Sequence, residues 1–292
     1  MRFTLKQLQV FLAVASHENV SLAADELAMS QSAASTALKE LEHRFGIRLF
    51  DRIGKRLQLN PEGVALRSRA AALISRAQEL ENSLIDHSEI GELKVGATLT
   101  IGNYLAIGIM AAFMQEHADA RVRLNVENTA AIAAKVRNFE LDIGLIEGEL
   151  QEPDLEVSFW REDELALFCA PDHPLAGKGK IDDEDLLSAD WIVREKGSGT
   201  RQAFDRAMSG ILSNLKLRLE LQHTEGIKRA VEAGLGIGCL SKLTLSEAFN
   251  RGSLVPLACP HRNLSRKFYF ILHRQKFLSH GVRSWMEHCK NT

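Results

Sequence analysis

VSLAADELAMSQSAASTALKELEHRFGIRLFDRIGKRLQLN, residues 20–60, reads as two short helices around a tight turn followed by a basic hairpin. Ser21 can cap the first helix, with Leu22, Ala23 and Leu27 turned inward, and Met29-Ser30 makes the turn. Ser30 can cap the next helix, which runs to about Arg44 and ends at Phe45-Gly46. Ala34, Ala37, Leu38 and Leu41 form its buried stripe at helical spacing. The opposite face shows Gln31, Ser32, Ser35, Thr36 and Lys39. Short polar side chains near the start of such a helix reach base edges in a major groove, where Gln pairs with adenine and Ser or Thr serves bases or phosphates.

On the C-terminal side of this helix, Ile47, Leu49 and Phe50 alternate toward a strand, and Leu57-Gln58-Leu59 returns. Arg52, Lys55 and Arg56 flank Gly54 at the turn, a two-stranded wing suited to phosphates or a minor groove. On the N-terminal side, Thr4-Leu-Lys-Gln7 fits a capping box opening a first helix, with Leu8, Phe11, Leu12 and Ala15 on one face. Three helices and a wing point to DNA, although the chain as a whole has 36 Lys and Arg against 38 Asp and Glu, a net charge of −2. A local basic site is averaged away in such a total. A plain packing unit is the alternative for a three-helix fragment, and the wing directly after it weighs against that.

From Leu22 to Gly63 the string LAxxxLxxSQSAxSxxLKxLExxxGxxLFDRxGKRLxLNxxG strongly resembles the LysR-type transcriptional regulators. The resemblance covers the whole chain. It implies an α+β multidomain protein: an N-terminal winged helix-turn-helix, a long linker helix, and a C-terminal two-lobed α/β effector domain like the periplasmic binding proteins. The corresponding boundaries are 1–60, 61–90 and 91–292. The resemblance also implies that the chain crosses to a second lobe and returns, giving about 91–163 plus 266–292 to one lobe and about 164–265 to the other.

Asn60-Pro61-Glu62 is a good start for the linker helix: a cap, a first-turn Pro, and an acid near the positive dipole end. Leu66, Ala70, Leu73, Ala77, Leu80 and Leu84 follow an a/d heptad seam. No neighbouring helix in sequence covers it, so the seam predicts a dimer, as the resemblance also implies. Packing on its own domain is the alternative. Ser88-Glu-Ile-Gly91 ends the helix. Beyond it strands and helices alternate, with strands at Leu93–Ala97, Val122–Val126 and Leu141–Ile146, then at Leu165–Ala170, Trp191–Val193, Leu217–Leu221, Ile237–Leu240 and Lys267–Leu272. The βαβ pattern predicts mostly parallel sheet.

Ligands of open α/β sheets bind beyond the carboxyl ends of strands. Ala97-Thr-Leu-Thr-Ile-Gly-Asn103 and Arg194-Glu-Lys-Gly-Ser-Gly-Thr-Arg201 lie there, each opening a helix with hydroxyls and free N–H groups that suit a small anion. Capping of their own helices is the alternative for Thr100, Ser198 and Thr200. Glu147 ends a strand at the same cleft and is awkward beside an anion. Protonation, pairing with Arg201 or Lys228, binding of a ligand cation, or a plain structural salt bridge would each account for it. TIGNY, DIGLIEG, REKGSGTR and GLGIGCLS look like the YeiE- and CysL-type branch of the family, associated with sulfite and sulfur assimilation. That resemblance implies an effector pocket lined by Thr98, Thr100, Asn103, Glu147, Ser198, Thr200 and Arg201.

No G-x-S-x-G, Walker P-loop or H-E-x-x-H is present, and GLGIG at 234–238 precedes a short strand, the wrong context for a dinucleotide fingerprint. No enzyme is expected, and no cofactor or metal is called for. A catalytic lobe fused to a DNA-binding head and a ligand-independent architectural DNA-binding protein are the alternatives. Cys169, Cys239, Cys259 and Cys289 form no C-x-x-C pair and read as reduced core thiols. The start MRFTLKQLQV lacks a signal-peptide layout and no stretch reaches about 18 apolar residues, so a cytoplasmic protein is expected. Expected partners are double-stranded promoter DNA, a small effector such as sulfite or another oxyanion, and further copies of the chain as dimer or tetramer, with RNA polymerase a further candidate and no membrane.

Overall fold

The first helix, α1 (Leu5–His17), opens with a reciprocal cap: the Gln7 N–H donates to Thr4 Oγ1 at 3.1 Å and the Thr4 N–H donates to Gln7 Oε1 at 3.0 Å. The computed structural model describes residues 2–54, 56–85 and 90–292, and their side chains except at 79 and 82–85. Helix α2 (Val20–Glu26) starts earlier than Ser21 predicts, because Asn19 caps it, accepting the Ser21 and Leu22 N–H groups at 2.8 and 3.2 Å. With that start Ala23 and Ala24 turn inward and Leu22 is left 52% exposed, a correction to its expected burial. Helix α3 (Gln31–Phe45) is capped by Ser30, which accepts the Ala33 N–H, and it ends at Gly46 as expected.

Phe11, Val14, Ala34, Leu38, Leu41 and Leu49 make the core of this head. The wing is an antiparallel pair, β1 (Phe50–Ile53) and β2 (Arg56–Leu59), with Phe50 opposite Leu59 and Ile53 opposite Arg56. The Leu57 N–H donates to the Glu18 carbonyl at 2.9 Å, which ties the wing to the end of α1. Helix α4 (Pro61–Ile85) follows, and Asn60 holds both sides of its start: its Nδ2 donates to the Arg48 carbonyl and its Oδ1 accepts the Gly63 N–H, each at 2.8 Å. Gly63 is required by close approach, since a Cβ there would lie 2.2 Å from the Leu49 carbonyl oxygen.

The α4 seam divides. Ala70 and Ile74 are buried in the head core with Leu66 packed against it, while Leu73 and Leu80 are exposed. The sequence foresaw no covering helix, yet α1 packs against α4. The 66/70/74 stripe follows the 3.6-residue helical turn rather than the 3.5-residue heptad. The Leu84 side chain and residues 88–89 lie outside what is described.

The second region runs β3 (Glu92–Thr98), α5 (Leu99–Ile101), a π-helical turn (Gly102–Ala106), α6 (Ile107–Glu116), β4 (Arg121–Glu127), α7 (Thr129–Arg137), β5 (Ile143–Glu147) and β6 (Leu155–Cys169). It continues with α8 (Asp183–Ser188), β7 (Asp190–Arg194), α9 (Gly199–Ala207), β8 (Lys216–Leu221), α10 (Thr224–Glu232), β9 (Ile237–Ser241), α11 (Lys242–Arg251), β10 (Val255–Leu257), β11 (Ser265–His273) and α12 (His280–Asn291). The sheet order is β4-β3-β5-β11-β6-β9-β7-β8, with β10 on β6. Pairing is parallel within β4-β3-β5 and within β9-β7-β8, and antiparallel between β5 and β11 and between β6 and β9. This is a two-lobed α/β fold with a core under each parallel set: Ile132, Val136, Leu141 and Ile271 in one, and Trp191, Phe204, Leu167 and Ile237 in the other.

Strand β6 begins ten residues before the expected Leu165, and α8, α11 and β10 are additional elements. By contacts the chain falls into two units, Met1–Gly91 with His273–Arg283, and Glu92–Leu272 with Ser284–Thr292. Among the described residues no helix is long and apolar enough to cross a membrane.

Candidate functional site

Packing of the head leaves one face of α3 clear. Gln31, Ser32, Thr36 and Lys39 are exposed and Ser35 is half-buried, while Ala34, Leu38 and Leu41 turn to the core. Two contacts hold α3 without using that face. Gln7 Nε2 donates to Glu40 at 3.2 Å, and Glu42 accepts the Leu49 N–H at 2.8 Å. On the wing Arg52 and Arg56 are exposed, and Arg56 lies 3.9 Å from Glu18 at its nearest. Lys55 lies outside the described residues. The Ser32 hydroxyl meets that of Ser30 at 3.0 Å, and the head otherwise presents an exposed polar helix face with two arginines on the wing.

The second region concentrates its polarity inside. Glu147, at the end of β5, is buried, and its partner is Arg266 of β11 rather than Arg201 or Lys228. Arg266 Nη1 donates to Glu147 Oε2 at 2.6 Å and to Thr200 Oγ1 at 2.9 Å. Its Nη2 donates to Thr100 Oγ1 at 3.3 Å and its Nε donates to Asp163 Oδ2 at 2.6 Å. Glu147 also accepts the Thr100 N–H and the Thr200 hydroxyl, each at 2.9 Å, and Asp163 accepts the Ser241 hydroxyl at 2.8 Å. Burial pushes the Glu147 carboxyl up, but the Arg266 charge and the Thr100 and Thr200 bonds outweigh it and hold the group at about 2. Glu147 is therefore a carboxylate and not a protonated acid. The centre joins β5, α5 and β11 to β6, α9 and β9, so it couples both parallel sets.

None of the cavities described among these residues is lined by all seven expected effector residues. Thr100, Glu147 and Thr200 are taken up by the buried centre. Arg201 is held elsewhere: Nε donates to Asp205 at 2.8 Å, and Nη1 donates to Glu220 at 2.8 Å and to the Arg194 carbonyl at 3.0 Å. Ser198 and Arg201 line a cavity of about 360 Å³ with Thr129 and Lys196. Asn103 lines another of about 400 Å³ with Asn128, Glu195 and His223. Thr98 is buried and its Oγ1 has no partner among the described residues. Gly199 permits the closeness of these parts: a Cβ there would lie 2.0 Å from the Glu147 carbonyl oxygen. Its N–H donates to Thr129 Oγ1, which in turn donates to the Glu147 carbonyl.

Residues 5–64 match the family described as bacterial regulatory helix-turn-helix protein, lysR family, and residues 86–292 match the LysR substrate binding domain. The chain belongs to the LysR family. It is 39% identical over 289 residues to the uncharacterized HTH-type transcriptional regulator YeiE of Escherichia coli (strain K12), covering 99% of this chain and 98% of that protein. It is 32% identical to the HTH-type transcriptional regulator CysL of Bacillus subtilis (strain 168), covering 90% and 89%. Among solved structures, a full-length OxyR variant from Pseudomonas aeruginosa shares the fold at 21% identity and a TM-score of 0.76, over 99% of this chain and 95% of that one. The regulatory domain of CcmR from Synechocystis PCC6803, solved in complex with 2-PG, is 30% identical with a TM-score of 0.64, over 69% of this chain and 96% of that one.

This LysR-family chain is thus a DNA-binding transcriptional regulator and not an enzyme. Sequence reasoning missed Arg266 and Asp163. A signal for Arg266 was present: it lies in phase with Phe268 and Phe270 on β11, which places a cation on the buried face of a strand. Among the described residues no cluster could hold a metal. All four cysteines are free and buried, and burial pushes Cys239 and Cys289 up to about 12, which leaves them unreactive thiols.

Proposed function

We propose that α3 and the wing read promoter DNA and that a small anion in the cleft of the effector domain modulates that reading. Gln31, Ser32, Ser35, Thr36 and Lys39 face the major groove in this reading, and Arg52, Lys55 and Arg56 hold phosphates or the minor groove. Leu73 and Leu80 of α4 join a second copy, so two reading helices meet an approximate dyad. The working boundaries are 1–60, 61–90 and 91–292, with lobes of about 91–163 plus 266–292 and 164–265, and the place of action is the cytoplasm.

The observation that carries the effector half is the meeting of two helix starts. Thr129 opens α7 and Gly199 opens α9, and the two are bonded directly at 3.2 Å. Ser198, the cap position of α9, is buried yet makes no capping bond, and exposed Lys196 lines the same cavity. Positive helix ends, a spare hydroxyl and a cation suit a small oxyanion. Of the residues the resemblance implies, Ser198 contacts the ligand in this reading, Asn103 lines a separate cavity, and Thr100, Glu147 and Thr200 form the fixed floor with Arg266. The resemblance to the YeiE- and CysL-type branch makes sulfite the first anion to try, and the relative CcmR was solved with 2-PG.

The test is thermal unfolding of the full chain with sulfite, sulfate or phosphate against chloride at matched ionic strength. The melting temperature rises with at least one anion, and Ser198→Ala reduces the rise. No rise with any of the three removes the anionic effector.

A further inference from the structure

The cleft's buried cations differ in how firmly their counter-ions are fixed. Arg266 is paired with Glu147 and Asp163, whose side chains are 2% and 3% exposed. Arg194 holds Glu195, itself largely buried. Lys228, on α10, is buried, but its one carboxylate partner among the described residues, Glu225, is 61% exposed. The Lys228 ammonium lies 2.5 Å from Glu225 Oε1 and also donates to the Tyr104 hydroxyl and to the Thr244 carbonyl, both at 3.2 Å. Tyr104, from the π-helical turn beside α5, donates to the same Glu225 oxygen at 2.8 Å. Burial works against the Lys228 charge, but Glu225 and Tyr104 outweigh it and raise the group above its ordinary value.

One turn before Lys228 on the same helix face, Thr224 is buried, and its Oγ1 is unpartnered among the described residues. Thr224 is also the first residue of α10, whose cap position, His223, makes no side-chain capping bond. An unspent hydroxyl, a positive helix end and a buried ammonium therefore sit together, and the carboxylate that answers them is one that can swing into water. Asn103, beside Tyr104, and His223, beside Thr224, line the same cavity of about 400 Å³.

We propose that Lys228, Tyr104 and Thr224 form an exchangeable anion seat, occupied at rest by the Glu225 carboxylate and taken over by the carboxylate or oxyanion of a small effector. Glu225 acts as an internal competitor that sets the effector affinity. Tyr104 comes from the β3–β5 set and Lys228 from the β7–β9 set, so the exchange is felt by both lobes. The proposal rests on the reading that the effector domain takes an anion, and it places a seat for one beside the cavity that Asn103 and His223 line, apart from the cavity of Ser198 and Lys196.

Isothermal titration of the full chain with sulfite, sulfate and phosphate tests it. Glu225→Gln removes the competitor and tightens binding about tenfold, the scale of one charge-assisted contact. Lys228→Met weakens binding by at least about tenfold, and Tyr104→Phe weakens it less. If the wild type binds an anion and all three variants bind it equally well, the seat is wrong and the anion reading stands. If neither the wild type nor Glu225→Gln binds any of the three anions, the anion reading falls and the seat falls with it. Should Lys228→Met not fold, Glu225→Gln decides: an unchanged dissociation constant overturns the seat.

Discussion

On α3, Gln31, Ser32, Thr36 and Lys39 stand in solvent; at the start of β11, Arg266 is buried and four side chains close on it. Both places are polar, but only the first keeps its polarity available. A surface that must meet a changing partner leaves most of its donors and acceptors unspent. A centre that must hold a sheet together spends its own, because an unmatched charge in that position would be costly. Stability and recognition are thus carried by different residues, and substitutions should separate them.

The largest effect falls on the buried centre. Arg266→Met strands two buried carboxylates and should destabilise the effector domain by about 3–5 kcal/mol. Trp160, Trp191 and Trp285 are the only tryptophans and all lie in that unit, so their fluorescence in a urea titration reports it alone. Adding Glu147→Gln to Arg266→Met should recover part of the loss, and simple additivity of the two would remove the claimed coupling.

Acid sharpens the same contrast. Glu147 is held at about 2 against an ordinary 4.5, so its contribution is fully present above the ordinary value and is lost as pH falls toward 2. The tryptophan-reported stability should drop across that window, and Glu147→Gln should flatten the slope.

Next come the two close approaches, one in each region. Gly199→Ala and Gly63→Ala each push a Cβ onto a carbonyl and should cost about 1–3 kcal/mol. Only Gly199→Ala should move the tryptophan transition; Gly63→Ala should instead lower the head's stability, followed by circular dichroism. Asn19→Ala should cost the head about 1 kcal/mol, whereas Ser21→Ala should be nearly silent.

The smallest stability effects belong to the exposed polar face of α3 and the wing. Gln31→Ala, Thr36→Ala and Arg56→Ala should change stability by under about 0.5 kcal/mol. In fluorescence anisotropy with promoter DNA, Arg56→Ala should weaken all sequences and reduce the salt slope by about 1, while Gln31→Ala should relax preference at one base. Normal DNA binding by Arg56→Ala would remove the wing assignment.

The same contrast explains what was legible. Helix α3 is written in neighbouring residues: a cap at Ser30, a stripe at 34, 38 and 41, and a stop at Gly46. Leu22 misled because a cap two residues earlier, at Asn19, rotates which residues of α2 face inward. The first ten residues of β6, LEVSFWREDE, mix charges with half-buried positions and lack the apolar run that marked its end. Glu147 was visible as a problem, but its partner lies 119 positions away in sequence, and no periodicity joins them. The head fold and the exposed polar face of α3 follow from local pattern; the buried centre follows from topology.

Strand β11 sits between β5 and β6 in the sheet order, yet among the described residues it is the last strand to be made. During synthesis the N-terminal head can close while translation continues. The effector sheet instead lacks a central strand, and Glu147 and Asp163 lack their cation, until residues near 266 have left the ribosome. For that interval the nascent protein is a finished head attached to an unfinished sheet. A chain stalled before β11 should therefore yield a protease-resistant head and a sensitive effector region.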